Sequence, residues 1–180
     1  MRKQSLIRFL MTAIFKPSDN ISIVQHKYNL HGKYVILGVA STWERRKGLN
    51  DFIQLSKRLN QDEVIVLIGL NQKQKVDLPK NVIGLSRTEN KKELVDLYNA
   101  SDVFLNLSAE ETFGLATAEA MACGTPAIVY DATACPELVI KIPVLSLKKI
   151  NISSLINAVS VLRKNEKTFY SEKCRGACIF

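Results

Sequence analysis

The chain has 180 residues, which is the length of one ordinary domain with enough chain for a substantial core. Hydrophobic residues make up 47% of it, and this fraction excludes a disordered chain and indicates a packed globular domain. The formal net charge of +8 indicates an anionic partner. Since no zinc-finger or helix-turn-helix pattern occurs, and no basic block is interleaved with aromatic residues, a nucleic-acid partner is not expected. A phosphate-bearing ligand, together with peripheral contact with anionic lipid, explains the charge more simply.

The four cysteines do not form a metal-binding pattern, because the close pair Cys174 and Cys178 has no second pair and no histidine near it. A reduced, cytosolic chain is therefore expected instead of a disulfide framework. The two histidines, His26 and His31, lie in a polar lead-in segment and are expected on the surface without a catalytic role. No G-x-G-x-x-G or P-loop signature occurs, so NAD or ATP binding of those types is not expected.

The first residues begin with two basic side chains and continue as an apolar run that Arg8 interrupts. The run lacks a convincing cleavage site and is too short to span a bilayer, so neither a signal peptide nor a transmembrane helix is predicted. Two interpretations stay open for residues 1–15: an interfacial helix, or the remnant of a missing domain with its apolar surface exposed. Residues 1–32 are taken together as a linker or remnant segment, in which residues 21–30 form a short helix.

The next part of the chain alternates between strands and helices. Four apolar runs have the composition of strands buried on both faces of a parallel sheet: residues 34–40, 64–69, 82–85 and 103–107. Helices are predicted at residues 49–60 and 91–100, and the second opens with Asn90 and Glu93 as a capping box. This alternation predicts an α/β fold, a doubly wound parallel sheet of Rossmann-like type with helices on both faces. Ligands of such sheets bind at the carboxyl ends of the strands, near the point where the strand order reverses.

The Rossmann-like domain is predicted to cover residues 33–165. Its last elements are a buried strand at residues 127–130, a short strand at residues 144–146 and a helix at residues 152–162. Residues 166–180 show no clear periodicity and are expected to be an irregular, poorly packed tail.

The stretch that carries the chemistry is residues 108–126, which lies between two predicted strands. Thr112 is predicted to cap a helix that begins at Phe113, because the residues that follow favour helix. Gly124 occupies the place of a left-handed C-terminal residue, and Pro126 prevents the helix from continuing.

The start of this helix has the properties of an anion site. Gly114 allows the backbone to approach a ligand closely, and the N–H groups of the first turn carry a partial positive charge that suits phosphate. Two carboxylates bracket the site, Glu111 just before the helix and Glu119 two turns inside it. Because carboxylates repel phosphate, they would accept hydrogen bonds from hydroxyl groups on either side of it, as in a sugar nucleotide. Spacing alone leaves a second interpretation open, which is two solvated glutamates on an ordinary helix.

A longer pattern in this stretch resembles a known family. Glu111, residues 113–115 (Phe-Gly-Leu) and residues 119–126 (Glu-Ala-Met-Ala-Cys-Gly-Thr-Pro) resemble the E-x7-E signature of retaining glycosyltransferases of the two-Rossmann-domain, or GT-B, type. More narrowly, they are similar to the bacterial enzymes that build polysaccharides and glycolipids. The resemblance extends over about residues 14–175 and covers only the C-terminal, donor-binding half of that family's fold.

The resemblance implies roles for the residues of this stretch. Glu119 would accept hydrogen bonds from the ribose of a nucleotide-diphosphate sugar, and Glu111 would hold the transferred sugar as a catalytic residue. The other donor-binding residues that it implies surround the helix start: Thr112, Phe113, Gly114 and Leu115.

A basic run, Arg45-Arg46-Lys47, lies between the first strand and Gly48, at the rim where a ligand would bind. A run of three bases is usually a solvated surface, but its position here favours pyrophosphate binding. In the family that the chain resembles, a basic residue of this loop and the lysine before the glycine neutralise the donor diphosphate. Lys47 matches that lysine, whereas Thr42 replaces the family's arginine, so Arg45 or Arg46 would take its role. Arg87, after the third strand, either contacts donor phosphate or base or is an ordinary surface residue.

The resemblance implies metal-independent transfer of a hexose to a glycan or lipid-linked acceptor, with retention of configuration and without a cofactor. Lys47 and Arg46 would assist departure of the nucleoside diphosphate. Met1 falls near the family's inter-domain linker, so a separate N-terminal Rossmann domain is an expected partner, and the chain alone is expected to transfer little or nothing. The alternative is a truncated, non-catalytic sugar-nucleotide-binding module or relic. The expected location is cytoplasmic, including peripheral contact with the inner face of the membrane.

Overall fold

The structure is a computed structural model that describes residues 13–18, 20–108, 114–130, 144–147, 151–165 and 167–179. Within this part of the chain the apolar runs form six strands, β1 (Tyr34–Val39), β2 (Glu63–Ile68), β3 (Val82–Leu85), β4 (Val103–Asn106), β5 (Ala127–Tyr130) and β6 (Val144–Leu147). The helices with described bounds are α1 (Ile21–Lys27), α2 (Leu49–Ser56), α3 (Gln72–Lys75), α4 (Lys91–Ala100), α5 (Leu115–Ala122), α6 (Ile152–Lys164) and α7 (Lys167–Ile179). A turn of 3-10 helix covers Arg45–Lys47.

The six strands form one sheet in the order β3-β2-β1-β4-β5-β6, and each neighbouring pair is parallel. Strand β2 is buried at every residue, as expected for a strand that is covered on both faces. The chain leaves β1 toward β2 on one side and leaves β4 toward β5 on the other, so the order reverses between β1 and β4. The predicted doubly wound Rossmann-like α/β fold is thereby confirmed.

Helices cover both faces of the sheet, since right-handed connections in opposite directions place α2 and α5 on opposite sides. Helix α2 packs against α6, whereas α4 packs against α1 and α5, and α5 also packs against α7. Phe52 and Leu55 of α2 are fully buried on the first face, and Leu97 and Tyr98 of α4 are fully buried on the second. These two layers enclose the hydrophobic core.

Two predicted helix ends were wrong. The helix predicted at residues 49–60 ends at Ser56, whose hydroxyl donates to the Ile53 carbonyl at 2.8 Å, and the chain then tightens into bonds between residues three apart. Helix α5 begins at Leu115 instead of Phe113, because its N-cap is Gly114 in the left-handed conformation. Thr112 is therefore not the N-cap, and the α5 N-cap makes no side-chain capping bond.

The capping boxes also differ from the prediction. Asn90 caps α4 as predicted, by accepting a hydrogen bond from the Glu93 N–H at 2.9 Å, but the Glu93 carboxylate returns to the N–H of Glu89 instead of Asn90. A complete capping box stands at α3, where Asn71 and Gln74 satisfy each other's backbone N–H groups. No helix was predicted between the strands at residues 64–69 and 82–85.

The irregular tail predicted at residues 166–180 was also wrong, since α7 spans Lys167–Ile179. Its Tyr170 and Cys174 are buried, and it packs on α5. The Lys167 ammonium donates to the carbonyl of Asn99 and, at 2.7 Å, to that of Ser101, at the C-terminal end of α4. A cation at the end of a helix satisfies carbonyls that have no partner within the helix, and this contact fixes the start of α7.

The described part of the segment at residues 1–32 contributes three side chains to the core, while Ile14 and Ile23 are exposed. Phe15, Val24 and Leu30 are buried, and the Phe15 ring meets the Tyr98 ring edge-on at 6.0 Å between centroids. The exposed apolar surface expected of a domain remnant is therefore not found at Phe15. The apolar run of residues 1–12 lies outside the described residues. Among the described helices, none combines the length and the apolar character needed to cross a membrane.

Candidate functional site

The loops that follow β1 and β4 touch each other at the point where the strand order reverses. Strands β1 and β4 are neighbours, with Ile36 beside Val103 and Leu37 beside Phe104. Gly48, in the left-handed conformation with φ of 76°, closes the loop after β1, and a Cβ atom built on it would lie 2.6 Å from the Leu107 carbonyl oxygen. This backbone contact between Gly48 and Leu107 is called the junction below.

The basic run lies directly at the junction. It forms the 3-10 turn Arg45–Lys47, in which the Lys47 N–H donates to the Glu44 carbonyl at 2.9 Å. Lys47 is half-buried and precedes Gly48 in the chain, so its position beside the junction follows from the Gly48 contact. The Arg46 Nε donates to a Glu44 carboxylate oxygen at 2.9 Å, and both side chains are more than half exposed. Arg45 is exposed as well.

Trp43 anchors this loop. Its indole N–H donates to the Ile68 carbonyl at 2.9 Å, and its ring meets that of Phe52 edge-on at 5.3 Å. The Gln74 side-chain amide donates to the Trp43 carbonyl at 2.7 Å. A single tryptophan within a polar loop was the signal for this anchor, because an indole of that size is rarely left in solvent.

The other side of the junction leads to the start of α5. Gly114 is buried and left-handed, with φ of 57°, and the first intrahelical bond runs from the Ala118 N–H to its carbonyl. The Asn106 amide, at the end of β4, donates to the Thr117 hydroxyl at 3.1 Å and so ties the first turn of α5 to the sheet. The Leu115 side chain is 50% exposed. The first turn thus presents its N–H groups at the carboxyl edge of the sheet.

Glu119 is not the solvated side chain of an ordinary helix. It is half-buried, and one carboxylate oxygen accepts a hydrogen bond at 2.9 Å from the hydroxyl of Tyr98, on α4. Burial raises the pKa of the Glu119 carboxyl, and the bond from Tyr98 and the charge of Lys91 partly oppose that rise. Tyr98 is fully buried, and burial raises the pKa of its hydroxyl too. Sequence reasoning missed Tyr98, since a tyrosine on the apolar side of a helix carries no signal of its partner.

The predicted site residues divide into three groups. The fold brings the turn Arg45–Lys47 and the start of α5, with Gly114 and Leu115, to one edge of the sheet, and Glu119 lies within α5. Arg87 is exposed after β3, on the same edge but two strands away from β1, which is roughly 10 Å. Three more lie outside the described residues: Glu111, Thr112 and Phe113. Among the described residues, no three His, Cys, Asp or Glu side chains come together as a metal site.

Comparison with known proteins gives consistent results. The model of the family described as glycosyl transferases group 1 matches residues 21–168. N-acetyl-alpha-D-glucosaminyl L-malate synthase of Bacillus anthracis is 26% identical in an alignment that covers 76% of this chain and 37% of that protein. D-inositol 3-phosphate glycosyltransferase of Corynebacterium jeikeium is 31% identical in an alignment that covers 52% of this chain and 26% of that protein. The chain therefore spans well under half the length of these two relatives.

Solved structures show the same fold. The C-terminal domain of a glycosyl transferase group 1 family protein of Francisella tularensis superposes with a TM-score of 0.76 at 23% identity, over 92% of this chain and 94% of that one. Anabaena HepE, in complex with UDP and glucose, gives a TM-score of 0.78 at 18% identity, over 93% of this chain and 48% of that one. The structure is thus that of a single Rossmann-like domain of the GT-B fold. Since the family model matches well over half of its length, the chain belongs to the glycosyl transferases group 1 family.

Proposed function

We propose that the chain binds a nucleotide-diphosphate sugar at the junction and supplies the donor-binding part of a hexosyltransferase. The observation that carries the proposal is the contact between Gly48 and Leu107, which sets the basic turn against the end of β4, the strand that precedes α5 in the chain. Two independent sources of positive charge, cationic side chains and helix N–H groups, meet there at the carboxyl edge of the sheet. A diphosphate is the ligand that such an arrangement fits.

The reaction that we propose is departure of the nucleoside diphosphate with transfer of the hexose to a glycan or lipid-linked acceptor and retention of configuration. Negative charge develops on the departing diphosphate, and Lys47 with the first turn of α5 stabilises it. No metal is assigned to the site, because these cationic groups provide the charge that the step needs. Glu111 holds the transferred sugar, and Glu119 accepts hydrogen bonds from the ribose.

Either Arg45 or Arg46 provides the remaining contact with the diphosphate. Arg46 is paired with Glu44, but both partners are exposed, and an exposed ion pair contributes only about 0–1 kcal/mol. A phosphate can therefore replace Glu44 at little cost. Substituting Arg45 and Arg46 separately by alanine decides the assignment, since only the arginine that contacts the diphosphate will change affinity for UDP more than affinity for uridine.

The donor and partner follow from the relatives by analogy. Anabaena HepE has been solved with UDP and with UDP-glucose, so uridine nucleotides are the first candidates for this chain. Because the curated relatives are much longer, we propose that a second, N-terminal Rossmann domain completes the acceptor side of the cleft. The net charge of +8 supports peripheral contact with an anionic membrane surface.

Isothermal titration calorimetry with UDP, GDP, ADP and their glucose and mannose sugars, without metal, tests the proposal. We expect saturable binding of one nucleotide, and the variants Lys47→Ala and Glu119→Ala should each weaken it. Lys57→Ala is the matched control, because Lys57 is an exposed lysine at the opposite end of α2. If no nucleotide binds to the folded chain, or if Lys57→Ala weakens binding as much as Lys47→Ala, the assignment of the site is wrong.

The non-catalytic alternative is separated from the enzyme by a transfer assay. The described part of the loop after β1 has Thr42 where the family that the chain resembles carries an arginine, and this difference favours a weakened site. Binding of UDP-glucose without transfer, even when an N-terminal Rossmann domain from a relative is added, would identify a binding module. Transfer that depends on the added domain would identify the donor half of an enzyme, whereas robust transfer by the chain alone would contradict the need for a second domain.

A further inference from the structure

Tyr98 links the core of the domain to the proposed ribose-binding carboxylate. The side chain is fully buried, and its ring meets the ring of Phe104 edge-on at 5.8 Å and that of Phe15 at 6.0 Å. A buried tyrosine hydroxyl requires a hydrogen-bond partner, and here the hydroxyl donates to one oxygen of Glu119 at 2.9 Å. Full burial and these two aromatic contacts hold the ring in the core.

The backbone of Tyr98 is fixed as firmly as its ring. The buried hydroxyl of Thr125, which follows α5, donates to the Tyr98 carbonyl at 2.6 Å. Tyr98 therefore binds α5 at two places, at Glu119 and just beyond the helix end. The position of the Tyr98 hydroxyl relative to α5 is set by both contacts.

We propose that Tyr98 is a positioning residue, whose hydroxyl holds one oxygen of Glu119 so that the other oxygen meets the ribose hydroxyls of a bound nucleotide. The inference rests on the proposed function, since it assumes that Glu119 contacts ribose. A glutamate without such a partner samples many rotamers, and ordering it on binding would reduce affinity. The bond also favours the ionised carboxylate, which is the form that accepts hydrogen bonds from two hydroxyl groups.

The charged and titratable groups around Glu119 act in a defined direction. Burial raises the pKa of Glu119, while Tyr98 and the ammonium of Lys91, both on α4, lower it. Removing the Tyr98 hydroxyl deletes one of the two opposing effects, so the pKa of Glu119 rises further. Nucleotide binding that depends on ionised Glu119 would then be lost at a higher pH than in the wild type.

The variant Tyr98→Phe, titrated with UDP and with 2′,3′-dideoxy-UDP, tests the inference. The dideoxy nucleotide lacks both ribose hydroxyls but keeps the diphosphate and base. We expect Tyr98→Phe to lower the affinity for UDP about five- to tenfold, which corresponds to the loss of one hydrogen bond. The affinity for dideoxy-UDP should stay within about twofold of that of the wild type. The pH at which UDP affinity is half lost should also move upward in the variant.

Tyr28→Phe is the matched control, because the Tyr28 hydroxyl donates to Glu93 at 2.8 Å in a second tyrosine–glutamate pair, between α1 and α4. It should leave UDP affinity unchanged. The positioning role would be overturned, while the proposed function stands, if Tyr98→Phe binds UDP as tightly as the wild type does. The same conclusion would follow if the variant loses affinity for UDP and for dideoxy-UDP equally. A wild-type chain that binds neither nucleotide overturns the proposed function and this role with it.

A ¹³C titration of the Glu119 carboxyl in the nucleotide-free protein supplies a readout that does not depend on binding. Its midpoint should rise in Tyr98→Phe and stay unchanged in Tyr28→Phe. If Tyr98→Phe fails to fold, Thr125→Val tests the same link. It removes the hydrogen bond that joins the end of α5 to the Tyr98 carbonyl, which also accepts from the Ser101 N–H at 3.2 Å, and it should weaken the binding of UDP more than that of dideoxy-UDP. An unchanged midpoint, or equal weakening of both nucleotides by Thr125→Val, would show that the two helices are merely packed together.

Discussion

Replacing Gly48 by alanine tests the junction directly. A Cβ atom at Gly48 would lie 2.6 Å from the Leu107 carbonyl oxygen and 2.7 Å from the Leu107 Cβ, distances at which one of the two loops must move. Gly32 provides the matched control, because its φ of 70° is similar to the 76° of Gly48 and a Cβ there would meet nothing within 4 Å. The two variants therefore share the backbone strain and differ in the contact.

The expected magnitudes follow from that difference. Alanine in the left-handed region costs about 1–2 kcal/mol, and the smaller freedom of the unfolded chain returns about 0.4–1 kcal/mol of it. Gly32→Ala should therefore lower the free energy of unfolding by about 1 kcal/mol. Gly48→Ala carries the same strain and, in addition, an overpacking penalty of about 1–3 kcal/mol. Its unfolding free energy should fall by about 2–4 kcal/mol.

Urea unfolding followed by the fluorescence of Trp43 and by circular dichroism measures both variants. Trp43 is the only tryptophan of the chain and is buried in the loop that ends at Gly48, so its emission reports on the loop itself. Gly48→Ala should also weaken the binding of UDP, since the basic turn must shift relative to the end of β4, whereas Gly32→Ala should not. Equal destabilisation by the two substitutions, with UDP affinity unchanged in both, would refute the contact between the two loops.

Three further predictions concern the titratable groups. Because burial raises the pKa of Glu119, the folded chain holds the carboxyl proton more tightly than the unfolded chain, and stability falls as pH rises through that pKa. Glu119→Gln should therefore raise the melting temperature at pH 7, as scanning calorimetry measures, and should weaken the binding of UDP, as titration calorimetry measures. Burial lowers the pKa of Lys167 to about 8, so the unfolding free energy of wild type relative to Lys167→Met should increase between about pH 8 and 10.5 in parallel urea titrations. The guanidinium of Arg163 donates to the buried carboxylate of Glu63 at 2.7 Å, and Arg163→Ala should lower the free energy of unfolding in urea by about 1–3 kcal/mol because this buried acceptor loses a charged partner. A loss under about 0.5 kcal/mol would contradict this.

The strands were predictable from sequence to within a residue or two, and the helix ends were less so. Runs such as residues 64–69 are apolar at every position because both faces of the sheet are covered, and few other environments require that composition. At the end of α2, by contrast, the Ser56 hydroxyl donates to the Ile53 carbonyl, a local contact that composition does not predict. Helix α7 is held by tertiary contacts such as the hydrogen bonds from the Lys167 ammonium to carbonyls at the end of α4. Because its sequence has no clear helical periodicity, it was not predicted.

The candidate site divides in the same way. The position of Lys47 at the sheet edge could be predicted, since a loop after the first strand of a parallel sheet must lie there. The contact of Gly48 with Leu107 joins loops about sixty residues apart and depends on how β1 and β4 pair. The bond from Tyr98 to Glu119 joins two helices, and its only trace in the sequence is a tyrosine among apolar residues.

Helix α5 is held by hydrogen bonds at its start, in its middle and just beyond its end, so its first turn is already ordered before a ligand binds. The Asn106 amide donates to Thr117 in the first turn, the Tyr98 hydroxyl reaches Glu119 in the middle, and Thr125 binds the Tyr98 carbonyl just beyond the end. A helix fixed at three places loses little freedom when an anion binds to its first turn, and its N–H groups already point in one direction. The free energy of diphosphate binding should therefore depend mainly on the side chains of the basic turn, of which Arg45 and Arg46 are exposed and must be ordered. Substitutions in that turn should accordingly change the entropy of UDP binding, whereas Tyr98→Phe should act on the ribose contact that the fixed helix presents.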